Sequence, residues 1–115
     1  MKKLNESYLE IKKSKFIGLL YEVDNINDVE KIINELKIEH KKARHIVYAY
    51  RIGSIEKNYS DKEPGGTTRG LLDLIHMKNK DNTMVIVIRY FGGILLGAGP
   101  LTRAYTKVSS MLFIE

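Results

Sequence analysis

Apolar residues fall in seven segments whose spacing separates strands from helices. Tyr8–Ile11 and Lys15–Val23 predict two strands joined by a polar turn at residues 12–14. Val29, Ile32, Ile33, Leu36 and His40 then recur at helical spacing and form one stripe. Asn27 is placed to cap that helix, with Glu30 as its capping-box partner. His45–Ile52 alternates strictly: Ile46, Tyr48, Tyr50 and Ile52 share one face, and His45, Val47, Ala49 and Arg51 share the other. Residues 53–66 read as a turn-rich loop, followed by a short helix through Leu71, Leu72, Leu74 and Ile75, capped by Thr67 or Thr68. Thr83–Phe91 is nearly all apolar, as a central strand would be. Leu101, Ala104, Tyr105, Val108, Met111 and Leu112 make a last helical stripe, with Pro100 in its first turn.

The order β-β-α-β-α-β-α predicts an α/β (α+β) two-layer sandwich: a mixed four-stranded sheet with helices on one face. Parity puts Ile46, Tyr48, Tyr50, Met84, Ile86 and Ile88 on the covered face. It leaves His45, Arg51 and Arg89 on an open one.

Composition narrows the class. With 43% hydrophobic residues in 115 positions, one core is expected and a single domain over residues 1–115. The absence of cysteine excludes disulfides and thiolate metal sites, and fits a reducing compartment. The start, MKKLNESYLEIKK, has no apolar h-region, and the longest aliphatic run is Met84–Ile88. A soluble, cytoplasmic chain without membrane contact is expected. A net charge of +5 favours anionic partners such as RNA.

Four of the nine glycines, Gly92, Gly93, Gly97 and Gly99, fall in RYFGGILLGAGPLTRAY, between the central strand and the last helix. That position favours an anion at the helix start. The loop is not a Walker A motif, because no Lys-Ser/Thr follows, and it is not a dinucleotide fingerprint. Two readings stand: Gly92–Gly93 turn the chain while Gly97 and Gly99 let helix and sheet approach, or the loop with Arg89 and Arg103 holds a phosphate. His45, Asp61 and Glu63 match no compact metal motif, so neither a metal nor a cofactor is expected. Asp61 and Glu63 are expected to cap the following helix or bind loop backbone. No nucleophile–base arrangement is legible, and no catalytic residue is assigned. HKKARH, residues 40–45, is a basic run leading into a strand.

RYFGG-x-x-LGAG-x-L-x-RAY resembles the motif of the IMPACT/YigZ family of uncharacterised and translation-linked proteins. Ser14-Lys15-Phe16-Ile17, His45 with Tyr48-Ala49-Tyr50-Arg51, and Asp61, Glu63-Pro64 and Gly66-Thr67 match its other motifs in order. Lys62 and Arg69 stand where the family usually has glycine, and Leu71 where it has proline. The resemblance implies the fold of ribosomal protein S-five domain 2, and usually a second ferredoxin-like domain, which is not expected in this chain. It brings no agreed catalytic set. Eukaryotic members are linked to translational control through a ribosome-associated scaffold.

The expected function is therefore a non-enzymatic module that engages RNA, the ribosome or a translation-regulating protein. Its surface would be a positive patch of Lys41, Lys42, Arg44, Arg51, Arg69, Arg89 and Arg103. The alternative is a phosphate-handling hydrolase or transferase, which needs a pocket joining the Gly97–Gly99 loop to Asp61, Glu63 or His45.

Overall fold

The computed structural model describes residues 1–114. Its elements are β1 (Lys2–Ile11), β2 (Ser14–Glu22), α1 (Ile26–Glu39), β3 (His45–Ile52), β4 (Ile55–Tyr59), α2 (Gly70–Met77), β5 (Thr83–Tyr90) and α3 (Ala98–Ser110), ending in a 3-10 turn at Met111–Phe113. The α+β class agrees with expectation. The sheet has five strands rather than four, in the order β1-β2-β5-β3-β4, and each neighbouring pair is antiparallel rather than mixed. The added strand, β4, lies inside the stretch read as a loop. It is a short edge strand, IEKNY, mostly exposed, so burial imposes little alternation on it.

The sheet is also covered on both faces, which corrects the one-sided arrangement. Val85 and Val87 of β5 pack with Leu71 and Ile75 of α2 and with Leu101, Ala104, Tyr105 and Val108 of α3. Met84, Ile86 and Ile88 face the other way, against Val29, Ile32, Ile33 and Leu36 of α1. A strand apolar on both sides needs cover on both, at about 1.5–3 kcal/mol per fully buried aliphatic side chain. The parity assignment itself survives: Tyr50, Met84, Ile86 and Ile88 do share a face, and it is the face under α1. The face read as open is the one beneath α2 and α3.

Two helix starts differ from expectation. Asn25, not Asn27, caps α1: its side chain accepts the Asp28 N–H at 2.9 Å, while the Asp28 carboxylate accepts the N–H of Asp24, the residue preceding Asn25. Neither threonine caps α2, which has no side-chain cap; the Thr67 hydroxyl instead donates to the Pro64 carbonyl at 2.7 Å.

Strand pairing gathers four connections at one end of the sheet. Lys15 opposes Tyr90, and His45 opposes Arg89, so the β1–β2 and α1–β3 turns flank the end of β5. Asp61 holds the β4–α2 turn there by accepting the Ile46 N–H at 2.7 Å. The β5–α3 loop closes the group.

Candidate functional site

This pole is organised by a buried cluster. Arg89 projects from β5 beneath α3 and donates through Nη1 to both Glu63 oxygens, at 3.0 and 2.9 Å. The Tyr105 hydroxyl donates to Glu63 Oε2, and His45 Nε2 lies 3.3 Å from Oε1. Phe16 underlies the group: its ring meets Tyr105 edge-on at 5.4 Å, and the Arg89 guanidinium lies 5.7 Å from its centroid. Burial, reinforced by the bond to Glu63, pushes the Tyr105 phenol pKa far above its ordinary value.

Arg89 is thus a buried ion-pair residue, and the expectation of an exposed Arg89 is corrected. Position 89 shares the Val85 and Val87 face of β5, so the presence of α2 and α3 there buries it. The expectation that Asp61 and Glu63 cap α2 or bind loop backbone is corrected too. Asp61 binds strand backbone and accepts the Tyr59 hydroxyl at 3.1 Å, while Glu63 belongs to the ion pair. The fold brings His45, Asp61 and Glu63 together, with His45 Nδ1 3.7 Å from Asp61. Among the described residues no group of three His, Asp or Glu side chains is disposed to hold a metal ion.

The glycine loop divides in two. A Cβ on Gly92 would strike the Lys13 backbone, so residue 92 permits the β1–β2 turn to pack against the loop. Gly93 has φ +88°, a conformation that strains any residue with a Cβ. Gly97 and Gly99 do not serve helix–sheet packing, contrary to the first reading. Both are exposed, and Cβ atoms there would meet only Pro100 and the Arg103 guanidinium. Gly97 precedes α3 without a side-chain cap. Pro64 and Gly66 lie on the exposed part of the β4–α2 turn, where Gly66 has φ +83°. Thr67 is buried behind them.

Lys41, Lys42, Arg44, Arg69 and Arg103 are all exposed. The first three sit in the turn at this pole, and Arg44 stacks over the Phe91 ring at 4.7 Å. Arg69 starts α2, and Arg103 folds back over the first turn of α3. Arg51 lies at the opposite end of β3, donating to the Lys80 carbonyl at 3.2 Å, and is not part of this group. Sequence reasoning missed Lys12, Lys13 and Lys62, which stand exposed in tight turns at the same pole with φ of +46°, +68° and +66°. It also placed Tyr105 only as core. A tyrosine on a buried stripe needs a partner for its hydroxyl, which was the available signal.

A family model described as the Impact N-terminal domain matches residues 12–113. The IMPACT family member YvyE of Bacillus subtilis (strain 168) is 39% identical over 111 residues, covering 93% of this chain and 51% of that protein. A solved structure described as a hypothetical protein superposes with a TM-score of 0.86 at 29% identity, over 96% of this chain and 58% of the other. The two-domain translational regulator Yih1 shares the fold, with a TM-score of 0.51 at 21% identity, over 96% of this chain and 46% of that one. The chain spans about half the length of the curated relative it matches. Among the described residues no helix is long and apolar enough to cross a membrane.

Proposed function

The chain belongs to the Impact N-terminal domain family, and on that premise we propose that it is a non-enzymatic, translation-linked module whose basic pole engages RNA. One observation carries the reading. The four connections at the pole contain only two acids: Glu63 is buried against Arg89, and Asp61 is half-buried and turned to the Ile46 N–H of β3. Lys12, Lys13, Lys41, Lys42, Arg44 and Lys62 are turned outward, so basic side chains outnumber acids on the surface facing a partner. The family's link to translational control supports RNA on or near the ribosome as the anion.

The enzymatic alternative needs a pocket that joins the Gly97–Gly99 loop to Asp61, Glu63 or His45. Glu63 is fully occupied by Arg89 and Tyr105, which favours a structural role for the pair.

The test is filter binding of a generic structured RNA across a salt series. Neutralising Lys41, Lys42 and Arg44 to glutamine should flatten the slope of log K against log salt by about 0.7–0.9 for each phosphate no longer engaged. Arg51→Gln, at the far end of β3, should leave the slope unchanged. No salt-dependent binding by the wild type, or an equal effect from Arg51→Gln, would defeat the proposal.

A further inference from the structure

Next to the basic pole, on the α1 face, a cavity of about 380 Å³ opens between the end of α1 and the β3–β4 hairpin. Its size falls within the roughly 300–1,000 Å³ of small-ligand sites. It exists because α1 packs over β2, β5 and β3 and leaves the edge strand β4 uncovered. Its lining combines three chemistries. Tyr48 and Tyr59, opposite each other in register, form an aromatic wall with centroids 5.1 Å apart. Lys37 and Lys41 stand exposed at the rim. Asp61 supplies a carboxylate, and its bonds from the Ile46 N–H and the Tyr59 hydroxyl fix both its position and that of the Tyr59 ring.

We propose that this cavity takes one unpaired guanine of a bound RNA. The base would stack on Tyr59, its Watson–Crick edge would meet Asp61, and its phosphate would lie on Lys37 and Lys41. Aromatic rings capture splayed bases through their π-faces, and lysines hold the backbone. The carboxylate decides which base. It only accepts, and each oxygen carries a second lone pair beyond the bond already made. Guanine alone among the four bases offers two adjacent donors, N1–H and the 2-amino group, on its Watson–Crick edge. Adenine and cytosine offer a single amino group there, and uracil a single imide N–H. The left-handed backbone at Asp61 and Lys62, φ +49° and +66°, aims the carboxylate back at β3 while carrying the Lys62 chain outward to the pole.

This inference rests on the RNA reading of the pole, and its test separates the two. Isothermal titration of the chain with GMP, AMP, CMP and UMP should give GMP the tightest binding, by about tenfold or more, as a bidentate base contact provides. Asp61→Asn keeps a residue tolerant of positive φ and one acceptor for the Ile46 N–H, so the fold is retained. It should abolish the preference for GMP. Tyr59→Leu should weaken all four nucleotides, by about fivefold or more when the stacking partner is removed. Both variants should keep the wild-type circular dichroism and the wild-type salt slope on structured RNA. RNA bound with a normal salt slope but no preference for GMP, or a preference that survives Asp61→Asn, overturns the pocket and leaves the basic pole standing. GMP preferred without any RNA binding overturns the RNA reading and marks the cavity as a mononucleotide site. Binding of neither overturns both.

Discussion

Arg89→Met should be among the most damaging single changes in this chain. The Arg89 side chain is 7% exposed and that of Glu63 2%, so each charge has given up nearly all its water for the other. Removing either leaves an uncompensated buried charge, at a cost of about 3–5 kcal/mol. That is a large part of the roughly 5–15 kcal/mol by which a domain of this size is stable. Glu63→Leu should cost a similar amount. The double variant, Arg89→Met with Glu63→Leu, leaves no buried charge. It should be no less stable than either single variant, although the Tyr105 hydroxyl then lacks its acceptor, a penalty of about 1–3 kcal/mol. Urea unfolding followed by circular dichroism measures all four corners of the cycle. With a denaturant slope of about 1–3 kcal/mol per molar, each single change should move the midpoint by about one molar or more. Single variants each costing less than about 1 kcal/mol, the range of exposed pairs, would refute the buried-pair account. Simple additivity in the double variant would refute the coupling.

The Tyr105 phenol has a folded pKa raised by burial and by Glu63, so its stabilising effect is complete below the unfolded value of about 10. It is lost as pH rises from there toward the folded value, at up to about 1.4 kcal/mol per pH unit. Urea midpoints at pH 9 and 11 should therefore fall further for the wild type than for Tyr105→Phe, and equal falls would contradict the assignment. Lys62→Gly should raise the urea midpoint. It relieves a left-handed residue worth about 1–2 kcal/mol against about 0.5–1 kcal/mol of added chain entropy, while RNA affinity at low salt should drop. A midpoint unchanged or lowered by Lys62→Gly would show that the turn is not strained. Gly92→Ala should cost about 1–3 kcal/mol, because the obstacle is the Lys13 backbone rather than a mobile side chain. Gly93→Ala faces open space and should cost about 1 kcal/mol from its positive φ alone. Urea titration showing the reverse order would mean that loop and hairpin do not pack as described.

Much of the fold is legible because burial writes itself into periodicity. The strict alternation of His45–Ile52 and the unbroken apolar run of β5 mark both strands, and the α1 and α3 stripes mark both helices. Where burial is weak the pattern fails, as in β4. The larger discrepancy has a different origin. A strand apolar on both faces is central and demands cover on both sides, yet one open face was expected of the sheet. The expectation of an exposed Arg89 follows from that, since one arginine in an alternating pattern looks alike whether its face meets water or a buried carboxylate. The Arg89–Glu63 pair spans 26 positions with all of α2 between them, and no local spacing encodes it. Lys12, Lys13 and Lys62 are visible as charges, but only strand pairing brings their turns to one pole.

The buried cluster and the basic surface are two aspects of one arrangement. Glu63 sits two residues after Asp61, in a turn whose outward residue is Lys62. With Asp61 bound to β3 and Glu63 bound to Arg89, the chain between them has to present residue 62 to solvent. The opposing β1–β2 turn does the same with Lys12 and Lys13, held in place by the contact between the Lys13 backbone and Gly92. At three positions a lysine therefore occupies a left-handed conformation that glycine or asparagine would take with less strain. Strained, exposed and like-charged residues gathered at one pole are poor choices for stability alone. They raise the local positive potential while the ion pair beneath keeps the turns from relaxing, as a surface that meets an anion requires. On this account the Arg89–Glu63 pair acts on RNA binding only through position. Glu63→Gln should loosen the β4–α2 turn and weaken RNA binding while leaving the number of phosphates engaged, and hence the salt slope, unchanged. A slope that falls with Glu63→Gln as it does on neutralising Lys41, Lys42 and Arg44 would show that the pole is not held together in this way.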